Sequence, residues 1–304
     1  MIRTVLRDMP KEQLGITMAH EHFIVDLARV RKDNISKIET IEEVIPEIKL
    51  MQDLNVKSAF EVSTIDLGRD VKKLKQISEI TGLNIVCSTG FYLHQFHPEW
   101  LNEATVEQIA DIYIKELTEG IDGTDIKAGL IGEIASSPEG FIGNEKKILE
   151  AAAVASIKTG AAVSTHTGKN TAFETIDTLL KFGVNPKKVI IGHQDLIDDT
   201  NYHIELLKRG INIGFDTCGK SAYMPDETRA KDIIKLIEAG YGDHIILSND
   251  ISRRTYFTSY GQQGYLAVMK IIVPLLKEYG ASQQQINKLL IDNPAEIVNN
   301  DNWQ

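Results

Sequence analysis

Two histidines one residue apart, His20 and His22 in AHEHF, are the first residues whose type and spacing suggest chemistry. On an extended strand, positions two apart face the same side, so both imidazoles can reach one cation. A lone His-x-His is a weak signal, since packed or surface histidines satisfy it equally well. Four more residues strengthen it: Glu133 in AGLIGEI, His166 closing AAVSTH, His193 after VIIG, and Asp250 after IILSN. Singly, such a carboxylate pairs with a nearby Lys or Arg, and such a histidine packs through hydrogen bonds. As a set, four imidazoles and two carboxylates meet the needs of two divalent ions with one carboxylate bridging them. Zinc suits these donors best, with manganese, cobalt, nickel or iron as alternatives. Two such ions acidify a shared water to near neutral pH and polarise a carbonyl or phosphoryl oxygen. Asp250 can orient that nucleophile or accept its proton.

The neighbouring loops carry groups suited to an anion. ISRRTYF after Asp250 supplies Arg253, Arg254 and Tyr256, and DTCGKSAY supplies Lys220 and Tyr223. Arginine offers a two-donor fork to phosphate or carboxylate. The plainer reading has Arg253 neutralising nearby acids, with Arg254 and Lys220 in solvent. In TGFYLHQFH, Tyr92 can donate to a substrate oxygen or pack beneath its loop. His94 and His97 read as loop or cap residues, His203 and His244 as packing or surface histidines. Cys218 has no neighbouring base in sequence and reads as a wall residue.

Positioning these residues requires a repeated scaffold. Apolar runs at 16–19, 56–62, 84–88, 128–134, 162–165, 189–192, 212–216 and 244–248 read as strands. Segments 41–53, 71–81, 106–119, 145–159, 172–182, 203–209, 227–239 and 264–279 return apolar residues every three or four positions and read as helices. Most stop at a glycine, as helices do. Eight strand–helix pairs predict an α/β fold, a single (β/α)8 TIM barrel over residues 1–304, with the six candidate ligands meeting at the carboxyl ends of its strands. The competing open sheet would place a glycine-rich phosphate turn after its first strand, where this chain has AHEHF. The Asn-rich tail from 299 onward is expected to fray.

Composition narrows the function classes. A net charge of −10 without a basic block argues against nucleic acid as a partner. No apolar run approaches the roughly 20 residues needed to span a bilayer, and MIRTVLRDMP has no signal core. Two cysteines, Cys87 and Cys218, make no disulfide framework. A cytoplasmic protein without a membrane partner, acting on a small molecule, is expected.

From AHEH through IGEI, STHT, IGHQD and LSNDI to DNPAEI, nearly the whole chain resembles the phosphotriesterase family of the amidohydrolase superfamily. The resemblance implies that His20, His22 and Asp250 hold the more buried metal and His166 and His193 the more exposed one, with Glu133 in the bridging position. Many members carry a carboxylated lysine there; Glu133 agrees with one subgroup, and its shorter carboxylate argues against efficient phosphotriester hydrolysis. Lys127, though near in sequence, is not placed in that role. Members include lactonases of phosphorylated sugar lactones, which implies a phosphate end at Lys220, Arg253 and Tyr256, with Arg254 as substitute if the loop is rotated. Hydrolysis of a small sugar lactone, phosphorylated or not, is the expected activity. A phosphoester or phosphotriester hydrolase, a nonenzymatic metabolite-binding protein and a closed structural metal site are the alternatives. The family also permits a homodimer.

Overall fold

Strands buried on both faces need no polar alternation, and the apolar runs of this chain form them. The computed structural model describes residues 1–303. The eight strands of its main sheet are β1 (Ile16–Glu21), β2 (Val56–Glu61), β3 (Asn84–Thr89), β4 (Leu130–Ala135), β5 (Val163–His166), β6 (Val189–Ile191), β7 (Asn212–Phe215) and β8 (Ile245–Leu247). They neighbour one another in chain order and pair parallel throughout. The seam between β8 and β1 closes through different bonds: the Asp250 N–H donates to the His20 carbonyl at 3.2 Å, and Ser248 Oγ accepts the His20 N–H at 2.9 Å. The fold is a (β/α)8 barrel.

Helices follow the strands: α1 (Ile41–Gln52), α2 (Val71–Thr81), α3 (Val106–Thr118), α4 (Glu145–Thr159), α5 (Ala172–Phe182), α6 (Thr200–Leu207) and α7 (Asp226–Glu238). Side-chain caps set several starts. Asp70 accepts from the Lys72 and Lys73 amides, Thr105 and Gln108 form a reciprocal box, and Asp199 accepts from the Tyr202 amide. That last cap starts α6 earlier than periodicity suggests. Phe60, Val86, Leu130, Ile190 and Ile246 belong to an apolar cluster that fills the barrel, and a larger one packs helices on its outside.

Two expectations are corrected. The segment 264–279 is not one α-helix: a π-turn at Val268–Ile272 precedes α8 (Val273–Glu278), and another at Lys288–Asp292 precedes α9 (Asn293–Val298). Pro274 and Pro294 each follow such a turn by two residues. Proline has no N–H and crowds the carbonyl four residues back, and a wider turn there relieves both problems. The tail does not fray over 299–303 either, while residue 304 lies outside the described residues. The Asn300 N–H donates to the Met1 carbonyl and its side chain to the Thr159 carbonyl, both at 2.9 Å, and the Arg3 guanidinium lies over the Trp303 ring at 4.4 Å. No helix among the described residues is long and apolar enough to cross a membrane.

Candidate metal centre

Irregularities in two strands aim side chains into the barrel mouth. Met18 and Glu21 of β1 pair with Ala59 and Glu61 of β2, which leaves an extra residue on β1 beside His20. Ile131 and Ile134 of β4 pair with Val163 and Thr165 of β5, with the extra residue beside Glu133. Bulges of this kind re-aim side chains next to active sites. Gly132 is obligatory in the second: its φ is +120°, and a Cβ would lie 2.1 Å from the Ser164 carbonyl oxygen. His193 and Asp250 follow β6 and β8 at φ values of +58° and +51°, a conformation few non-glycine residues adopt.

All six expected ligands converge. Glu133 sits at their centre, with Oε1 at 3.4 Å from His22 Nε2 and Oε2 at 3.4, 3.0 and 3.6 Å from His20 Nε2, His166 Nδ1 and His193 Nε2. Asp250 Oδ1 lies 3.2 Å from His22 Nε2 and 3.9 Å from His20 Nε2. The His166 and His193 rings present nitrogens to each other at 2.6 Å. His20, His22 and Asp250 form one group able to hold an ion, and His20, Glu133 and His193 another. His20 is wholly buried, and neither of its ring nitrogens has a hydrogen-bond partner. An imidazole desolvated without partners is costly, and a cation at its nitrogen supplies what is missing, so the donor set fits divalent metal. The set is also open, because the His166 side chain keeps 30% of its exposure.

The electrostatics are those of a cage of carboxylates. Burial would raise Asp250, but Lys220, the His22 hydrogen bond and nearby imidazoles hold it far below the usual carboxylate range. Burial likewise opposes the ionisation of Glu133, and His20, His166 and His193 overcome it, so its carboxyl also titrates well below normal. Burial disfavours charge on His22, yet hydrogen bonds to Asp250 and Glu133 lift it to about 10. His166 moves down, through burial and repulsion by His193.

Two supporting acids were not expected from the sequence. Asp216 accepts the His193 N–H at 3.0 Å and its Nδ1 at 2.8 Å, and lies 3.4 Å from His20 Nδ1. The signal was present: Asp216 closes the seventh apolar run as the other acids close theirs. Glu21, between the two histidines, points the other way. It accepts from the Asn249 N–H and side chain at 2.9 and 2.7 Å and from the Ile251 N–H at 3.1 Å, holding the turn that carries Asp250.

The expected anion-binding residues divide. Lys220 pairs with Asp250 and its ammonium lies 5.0 Å from the Tyr256 ring centre, so it faces the carboxylate cage and not open loop. Tyr256 Oη is 3.3 Å from Tyr223 Oη. Arg254 is turned away from a substrate role: Glu43 of α1 pairs with it at 3.0 Å and the Asn34 carbonyl accepts from it. The Arg253 guanidinium makes no hydrogen bond or ion pair among the described residues, and its Nε is buried. Tyr92 Oη stands 3.3 Å from both His166 ring nitrogens. His97 Nε2 donates to the Tyr92 carbonyl at 2.8 Å and His203 Nε2 to the Gln194 carbonyl at 2.9 Å, which keeps both outside the cage.

The family model "Phosphotriesterase family" matches residues 1–298. The chain is 32% identical to the phosphotriesterase homology protein of Escherichia coli, over 95% of this chain and 99% of that one. A structure of that relative with phosphate in its active site superposes with a TM-score of 0.92, covering 94% of this chain and 99% of the other at 31% identity. N-acetyltaurine hydrolase of Xenopus tropicalis is 32% identical, with 97% of both chains covered. A lactonase from Listeria monocytogenes superposes with a TM-score of 0.93 at 29% identity, covering 98% of each chain. By its sequence, barrel and ligand cage, the chain belongs to the phosphotriesterase family.

Proposed function

We propose that this metal-dependent hydrolase opens a small lactone bearing an anionic group, with a phosphorylated sugar lactone as the favoured substrate. His20, His22 and Asp250 would hold one divalent ion, His166 and His193 the second, and Glu133 both. Zinc is the proposed metal. The observation that carries the reading is Glu133 at the centre of four imidazoles, open to the mouth at His166. A closed structural site would leave no such opening. When bound, the two ions supply an acidified water and a Lewis acid for the substrate oxygen.

The protein's own groups then have definite tasks. Asp250 stays ionised beside Lys220 and can take the proton released on attack. Asp216 orients His193 through both the backbone and ring N–H groups. Burial raises the Tyr92 phenol well above its ordinary pKa, so its hydroxyl stays a donor, beside His166, for the developing oxyanion. Arg253, without a partner among the described residues, is the proposed contact for the anionic end, with Tyr256 beside it.

An anionic N-acyl amine is a second reading, favoured by the N-acetyltaurine hydrolase relative, since a sulfonate would suit the same arginine. Phosphotriester cleavage ranks lower, because Glu133 replaces a longer bridging group. The test is a panel run on zinc-loaded protein: a phosphorylated sugar lactone, its dephosphorylated form, N-acetyltaurine and an aryl phosphotriester. The lactones should turn over fastest. Robust phosphotriester or amide cleavage without ring opening would reverse the order, and tight binding of an unmodified metabolite without turnover of any substrate would favour a binding protein.

A further inference from the structure

We infer that Ser63 and Glu61 form a positioning relay behind His22, which fixes the ring nitrogen that His22 presents to the cation site and so sets how tightly one of two cations is held. The inference rests on the metal-dependent reading above. It concerns residues outside the cage: Glu61 ends β2 and Ser63 follows two positions later.

The geometry is a chain of three groups, all buried. His22 Nδ1 lies 2.9 Å from Ser63 Oγ, and Ser63 Oγ lies 2.6 Å from Glu61 Oε1. A serine hydroxyl has one proton, so it can donate in one direction only. Glu61 Oε1 already accepts the Phe23 N–H at 3.2 Å, which makes it an acceptor toward Ser63 as well. Ser63 therefore donates to Glu61 and accepts from His22, which places the His22 proton on Nδ1. In the neutral ring that a bound cation requires, the lone pair is then left on Nε2, the nitrogen 3.2 Å from Asp250 and 3.4 Å from Glu133. That is the tautomer a metal ligand needs.

The direction does not depend on the charge of Glu61. Its second oxygen, Oε2, is buried with no hydrogen-bond partner. A proton on that oxygen leaves Oε1 accepting from both Phe23 and Ser63. The ring is also held from its backbone, where Tyr265 Oη donates to the His22 carbonyl at 2.7 Å. His193 takes its carboxylate, Asp216, directly; His22 reaches its own through a hydroxyl. Two ions in one cage would thus rest on two differently built outer contacts.

The test uses full-length protein loaded with zinc and titrated with a chelator, with bound metal per chain as the readout. Ser63→Ala removes the hydroxyl, Glu61→Met removes the acceptor, and Glu61→Gln keeps an acceptor oxygen in place. Ser63→Ala and Glu61→Met should release one ion at a chelator concentration about 10-fold or more below wild type, while the other ion stays. Glu61→Gln should hold both ions as wild type does. In cobalt-loaded protein, the visible absorption bands should change in the first two variants and not in Glu61→Gln, a signature that general loss of stability would not produce. Two ions held equally tightly in all variants, or Glu61→Gln behaving as Glu61→Met, would overturn the relay. If Ser63→Ala does not fold, the Glu61 pair decides alone. Wild-type protein that takes up no divalent ion would sink the metal-dependent reading itself, and is distinguished by the wild-type titration.

Discussion

Adjacent arginines in one loop have opposite fates, and the difference is set by what each can reach. Arg254 spends its donors on Glu43 and the Asn34 carbonyl, tying the last barrel loop to α1 and the first. Arg253 has no such partner among the described residues, and its charge acts on Tyr256 and Asp33. Arg253→Ala should therefore lower kcat/KM for a phosphorylated lactone by about 10- to 100-fold, a loss of roughly 1.5–3 kcal/mol for one charge-assisted contact. The dephosphorylated lactone should lose much less. Arg254→Ala should act mainly through loop stability, with similar small losses on both substrates. Asp250→Asn is the contrast, since it should impair both substrates severely. Equal losses on the two lactones in Arg253→Ala, with metal content unchanged, would remove Arg253 from anion recognition.

Among the elements, the strands were legible because a parallel barrel buries both faces, and short apolar runs bounded by turns are what that burial leaves in a sequence. The candidate ligands at their ends were legible for the same reason: a histidine or acid at the end of such a run has few other places to go. Asp216 closes its run as the other acids close theirs but was not assigned, and Glu21 was passed over as the residue between His20 and His22; both hold other residues, a task that residue type and spacing do not mark. The π-turns were hidden too, since apolar periodicity continues through Pro274 and Pro294 while the backbone bonds change. The bulge in β4 could not be read from spacing, although Gly132 marks it. Its requirement is severe: any Cβ meets the Ser164 carbonyl oxygen at 2.1 Å in a backbone region that disfavours side chains. Gly132→Ala should destabilise the protein by about 3 kcal/mol and displace Glu133, so metal content should fall with it. A urea midpoint and metal stoichiometry matching wild type would show that the strand can absorb the side chain.

Across the whole molecule, the candidate metal centre and the contacts of the carboxyl-terminal tail occupy opposite ends of the barrel. The tail ties the floor: Lys188 donates to the Glu296, Ile297 and Asn299 carbonyls, and Asn300 binds Met1 and Thr159. Deleting residues 299–304 should cost about 2–4 kcal/mol in lost hydrogen bonds and the Arg3–Trp303 contact, with kcat/KM unchanged. A fall in activity without a fall in Tm would mean that floor and mouth are coupled. Stability should also carry a pH signature from Glu61, a buried acid within this frame. Burial raises it from the ordinary 4.5 to about 7, against the opposing effects of the His22 charge and the Ser63 and Phe23 hydrogen bonds. Between those two values the folded chain keeps a proton that the unfolded chain has lost. Stability therefore falls as pH rises through that window, and the contribution is level on either side of it. The size is on the order of 3 kcal/mol at about 1.4 kcal/mol per pKa unit. Glu61→Gln has nothing to ionise there, so relative to wild type it should gain that much stability between pH 4 and pH 8. Urea unfolding of both proteins with chelator present isolates the effect from metal binding, because the remaining titrating groups are shared. A stability difference between the two proteins that is the same at both pH values would mean that Glu61 ionises normally despite its burial.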